Sequence, residues 1–193
     1  MDMPAAIEAI VADDRTGLAS LLDAQPGLVR LTVTDERFIE AIVHQFYAGD
    51  TLLHVAAAGF RAELASLLIA RGADLAARNR RGATPLHYAA DANHYAPEAQ
   101  AATVVVLLKA GAIVDAPDKS GVTALHRAVR TRAVTAVEAL LAGGADTNLP
   151  NGSGSTPLFL AGRTTGRGGT GTPEARAAQG EIIGMLRAAG AVD

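Results

Sequence analysis

The 193-residue chain contains no cysteine and no tryptophan. Without thiols there is no disulfide framework, no thiolate zinc site and no cysteine nucleophile. Aromatic residues make up only 4%, so the core has to be built from Ala, Leu, Val and Ile, small side chains that favour closely stacked helices. An excess of basic charge is missing too: 17 Lys and Arg stand against 20 Asp and Glu, a net −3, which speaks against nucleic acid as a partner. The balance is uneven along the chain. Residues 1–50 hold nine acids and three bases, residues 51–193 eleven acids and fourteen bases, so an anionic partner would meet the second part. The longest uncharged run, Thr147–Gly162, is broken by Asn, Pro, Gly and Ser, and no segment is expected to span a bilayer. Met1–Pro4 carries no positive region, and Glu8, Asp13 and Asp14 interrupt the first apolar stretch. No signal peptide is expected, and the expected location is the cytoplasm.

What the chain does hold is repetition. Thr51-Leu-Leu-His, Thr84-Pro-Leu-His, Thr123-Ala-Leu-His and Thr156-Pro-Leu-Phe begin at intervals of 33, 39 and 33 residues. Gly72-Ala, Gly111-Ala, Gly144-Ala and Gly190-Ala close the units, the first three each 12 residues before the next Thr. From Thr to Gly the distances are 21, 27, 21 and 34, so units two and four carry insertions of 6 and 13 residues in mid-unit. Self-similarity at this period is the mark of a stacked repeat architecture.

Local chemistry gives the unit its form. Thr is a favoured helix N-cap, and Pro after it has its φ already set and lacks an N–H that would be orphaned. Leu86, Ala89 and Ala90 then fall on one helical face, and Val104, Val105, Leu107 and Leu108 mark a second helix. Gly of each Gly-Ala pair suits the left-handed residue that ends that helix. The unit is a helical hairpin, which cannot bury its apolar face without neighbours.

At these residues the chain resembles the ankyrin repeat family, from about Gly49 onward. The link Asp118-Lys119-Ser120-Gly121-Val122-Thr123 looks like the family's turn into its first helix. Departures are local: Phe46 stands for the turn's Asp or Asn, Leu52 and Ala124 for Pro, Phe159 for His. The resemblance implies an all-α solenoid of stacked helical hairpins with extended links. Residues 46–193 would form four repeats, and residues 1–45 a degenerate capping repeat and its connection, in keeping with the helical spacing of Ile7, Ile10, Val11, Leu18, Leu21 and Leu22. Thr34, followed by Asp35 and Glu36, is placed to cap a further helix through Ile42 and Val43.

The polar residues divide into structural and candidate functional sets. His54, His87 and His126 occupy equivalent sites in successive units, about 8–10 Å apart, too far to converge on one metal ion. The resemblance makes them structural, bonded near the unit's Thr and the neighbouring link. His44 and His94 stand alone, so no metal and no cofactor are expected. Gly166–Gly171 matches the G-x-G-x-x-G pattern but lacks the preceding strand and the βαβ context that the dinucleotide fingerprint needs. Residues 164–172 therefore read as a flexible insertion, with small-anion or nucleotide binding there as the alternative. No catalytic constellation stands out, so the chain is not expected to be an enzyme.

In the resembled family, link tips and the exposed side of each first helix form a concave binding face. Carried over residue by residue, these positions are Tyr47, Asp50, Arg78, Arg80, Arg81, Asp91, Lys119, Arg130 and Arg163. Six of the nine are basic, against an acidic whole, and the partner expected there is an acidic peptide or protein surface, bound by a monomer.

Overall fold

The computed structural model describes residues 2–35, 37–42, 44–91, 96–163 and 172–192. Among them ten α-helices are arranged as five consecutive pairs. The first pair is α1 (Met3–Val11) and α2 (Arg15–Ala24), followed by a short 3-10 helix, Pro26–Arg30. Then come α3 (Leu52–Ala58) with α4 (Ala62–Ala70), and α5 (Pro85–Ala89) with α6 (Pro97–Lys109). The last pairs are α7 (Ala124–Thr131) with α8 (Val134–Ala142), and α9 (Pro157–Gly162) with α10 (Pro173–Ala188). The odd-numbered helices pack on one another in one layer and the even-numbered helices in a second. The core between the layers is Leu, Ala, Val and Ile, continuous from Ile10 through Leu68 and Leu107 to Leu186.

Each unit starts and stops as its sequence dictates. Thr51, Thr84, Thr123 and Thr156 all sit in extended conformation at N-cap positions. Gly72, Gly111, Gly144 and Gly190 have φ between +84° and +99°, the region in which a Cβ would be strained. The extra residues of units two and four fall between the paired helices, and part of them lengthens the second helix: α6 has 13 residues and α10 has 16, against nine in α4 and α8. Thr172 caps α10 by accepting from the Ala175 N–H at 3.2 Å, with Pro173 next.

The connection after the first pair departs from expectation. The helix anticipated from Thr34 through Ile42 is absent, and the chain forms an antiparallel hairpin of β1 (Arg37–Ile39) and β2 (His44–Phe46), with Arg37 opposite Phe46 and Ile39 opposite His44. Extended geometry puts Phe46 fully inside while Phe38 is 55% exposed, the face alternation a two-residue period produces. A helix would have split this apolar set from α3. The expected boundary between residues 45 and 46 thus falls within β2. Ile42, in the hairpin loop, is buried and reaches the C-terminal end of α3, where a Cβ on Gly59 would lie 3.5 Å from its Cδ1. All seven residues of α3 are buried, with α1, α4 and α5 packed against it.

The first pair is tied to the second by Arg61, which donates to the Val11 carbonyl at 3.2 Å, and by the Arg71–Asp23 pair at 2.6 Å. Glu36, Val43, His94 and the Gly-rich stretch 164–171, with the readings attached to them, lie outside the described residues.

Candidate functional site

The repeated histidines define the frame on which the site is built. The Thr51, Thr84 and Thr123 N–H groups donate to Nδ1 of His54, His87 and His126 at 3.1, 3.1 and 3.2 Å. With Nδ1 accepting, Nε2 carries the proton. It donates onward to the carbonyls of Ala83, Val122 and Ser155 at 3.1, 2.8 and 3.1 Å. Each ring therefore fastens a first helix to the next link, as a structural role requires. Burial holds all three below the usual imidazole value, His87 at about 4. Phe159 has no ring nitrogen to repeat this bond and is 53% exposed.

The links are joined tip to tip by backbone bonds: Arg80 N–H to the Ala48 carbonyl at 2.8 Å, Lys119 N–H to Arg81 at 3.0 Å, and Gly152 N–H to Ser120 at 2.8 Å. The approach needs glycine. A Cβ on Gly82 would meet the Lys119 nitrogen at 2.9 Å, and one on Gly121 would meet the Gly152 nitrogen at 2.6 Å. The tips thus present their side chains from a fixed edge.

Between this edge and the first helices lies a groove of about 950 Å³. Its walls are β2 and Tyr47 on one side, the tips 79–83 and 118–122 along the edge, and α5 and α7 as floor. Five cationic residues line it, Arg80, Arg81, Lys119, Arg127 and Arg130, with two carboxylates, Asp91 and Asp118. Both carboxylates are engaged by Arg127, at 2.9 Å from Asp91 and 3.2 Å from Asp118, and Arg130 approaches Asp91 at 3.7 Å. Burial pulls the Asp118 carboxyl up, but the N–H groups of Ser120 and Val122 and the Arg127 guanidinium hold it below its usual value. Arg80 and Arg81 flank the Tyr47 ring, with guanidinium carbons 5.3 and 4.5 Å from its centroid, contacts that limit their rotamers.

Six of the nine candidate residues, Tyr47, Arg80, Arg81, Asp91, Lys119 and Arg130, line this groove. The other three do not. Asp50 is fully buried: its carboxylate accepts from the Tyr88 hydroxyl at 2.7 Å, the Asn79 amide at 2.9 Å and the Tyr47 N–H at 2.7 Å. It braces the wall from behind and cannot touch a partner. Arg78 donates to the Gly82 and Pro117 carbonyls at 2.9 and 2.6 Å, joining two links. Arg163 lies 5.5 Å over Phe159, outside the groove. The sequence does not mark Arg127, and it marks His44 only as an isolated residue without ligand spacing. Arg127 stands one turn from Arg130 on the same face of α7, as Tyr88 does from Asp91. The His44 ring stacks on Tyr88 at 4.3 Å and 8°, and burial lowers its pKa.

Among the described residues, no group of three or more His, Asp and Glu side chains is placed to hold a metal ion, and no helix is long and apolar enough to cross a membrane. Three family models match the chain: ankyrin repeats in three copies over residues 18–98, a single ankyrin repeat over 81–119, and ankyrin repeats in many copies over 107–161. No curated protein matches it.

Proposed function

Since the chain belongs to the ankyrin repeat family, whose repeats are general protein–protein interaction modules, we propose that it acts as a monomeric, non-catalytic receptor for an acidic peptide or protein surface, held in the groove between the link tips and α5 and α7. The observation that carries this reading is the charge of the lining, five cations against two carboxylates that are already engaged by Arg127, in a protein whose net charge is −3. A positive concavity on a negative body steers acidic segments to one place and repels them from the rest. The shape suits it: the tips are fixed by backbone bonds, so little ordering cost falls on binding.

The test uses a fluorescein-labelled peptide with Asp or Glu at every second position. Its affinity for the wild-type chain should fall steadily as salt is raised, because surface charges are screened within about 10 Å at 0.1 M. The double substitution Arg80→Glu and Arg81→Glu should weaken binding at least about tenfold. Both side chains are exposed, so the melting temperature should change little. Equal affinity of the double variant, or binding indifferent to salt, would place the contact elsewhere.

A further inference from the structure

We infer that the groove receives the end of an acidic chain, with a free C-terminal carboxylate lodged beside Arg80, Arg81 and Lys119, rather than a segment that passes through. This rests on the proposal that the groove docks acidic protein.

The argument starts from the hairpin. A concave face open at both ends lets an extended segment run past every unit. Here the hairpin packs on Tyr88 of α5 through His44 and Phe46, and Ile42 reaches Gly59 at the C-terminal end of α3, whose seven residues are all buried. A chain running along the floor from α7 to α5 meets His44, Gln45 and Tyr47, where the lining of the groove ends. This wall is stiff. His44 is stacked on Tyr88, Tyr88 is held by Asp50, and the same carboxylate takes the Tyr47 N–H.

Charge is distributed to match. Both lining carboxylates, Asp91 after α5 and Asp118 at the link tip, are paired with Arg127 of α7. At the hairpin end the lining is cationic: Arg80 and Arg81 flank Tyr47, the residue that follows β2, and Lys119 is bonded through its N–H to the Arg81 carbonyl. A planar carboxylate suits a guanidinium fork, which binds it through two parallel N–H groups. Asp and Glu side chains of a passing segment offer the same anion, so it is the wall of His44, Gln45 and Tyr47 that selects a terminus: a chain that continued would have to turn out of the groove at its most positive point.

The experiment compares three labelled peptides of one acidic sequence of about eight residues, enough to span two units at roughly 3.3 Å per residue. One ends in a free carboxylate, one in an amide, and one continues for a short Gly-Ser tail. Anisotropy titrations with the full chain should show the free-carboxylate peptide binding at least tenfold tighter than the other two. In an Arg81→Gln chain the margin between free acid and amide should shrink severalfold. Equal binding of all three peptides overturns the end-on reading and leaves acidic docking standing. Binding by none of them overturns both.

Discussion

Replacing Asp50 by Ala should lower the unfolding free energy by about 3–5 kcal/mol, among the largest effects any single substitution in this chain will have. Three donors converge on its carboxylate, the Tyr88 hydroxyl, the Asn79 amide and the Tyr47 N–H, all within 2.9 Å. Asp50 and Tyr88 are 0% and 1% exposed and Asn79 5%, so water cannot replace the lost acceptor without opening the packing. A buried donor left unsatisfied costs about 1–3 kcal/mol. Burial and the facing carboxylate also raise the Tyr88 pKa strongly, so the phenol stays protonated and remains a donor throughout the working range. The melting temperature should fall by roughly 10 °C, at about 2–4 °C per kcal/mol for a chain of this size, and Asp50→Asn, which keeps one acceptor oxygen, should cost visibly less. A shift under about 2 °C for Asp50→Ala would mean that the network contributes nothing to stability.

Acidification should destabilise the chain in a window set by its histidines. In the folded state, Nδ1 of His54, His87 and His126 accepts from a Thr N–H and Nε2 already donates, so a proton added at Nδ1 displaces the Thr N–H bond, with only the Thr hydroxyl oxygen at 2.8–3.0 Å to receive it, and the charged form is buried. The sign follows from the depressed folded pKa values. Below the unfolded value of 6.5 the unfolded chain takes up protons that the native chain refuses, so stability falls with pH until the folded pKa is reached. For His87, whose folded value is about 4, the loss across that window is roughly 3 kcal/mol, at 1.36 kcal/mol per unit. His54, His126 and His44 act in the same direction. Asp118, whose pKa is also depressed, loses its contribution only at lower pH, below its unfolded value of 3.8. Urea unfolding at pH 7.5 and 5, with imidazole proton shifts followed by NMR, checks this. A flat unfolding free energy with all rings titrating near 6.5 would contradict the tautomer and the frame built on it.

Much of this architecture was legible because repetition supplies its own control. Four Thr starts and four Gly stops in register locate every helix pair from α3 to α10, each for a local reason of capping or left-handed backbone. The same register held the answer for Asp50. Its equivalents are Ala83, Val122 and Ser155, whose carbonyls receive the histidine bonds, so the backbone at this position is tied to the preceding first helix in the later units. A charged side chain there masks the pattern. The hairpin was hidden because Ile39 and Ile42 fit a helical spacing as well as a strand and its loop, and only packing on α3 decides between them. Its signal lay instead in α3, Leu-Leu-His-Val-Ala-Ala-Ala, which is apolar all round and so requires cover on every side. Helix α7 shows the contrast: Arg127 and Arg130 mark an open face, and that face floors the groove.

The most direct measurement is amide shift mapping of the labelled full chain as the acidic peptide is added. Shifts concentrated at Arg80–Gly82, Lys119–Val122 and Arg127–Thr131, reaching Tyr47 and stopping short of α1 and α2, are the result the groove predicts. Shifts centred on α10 and the Gly-rich stretch before it, with the link tips unmoved, would contradict it.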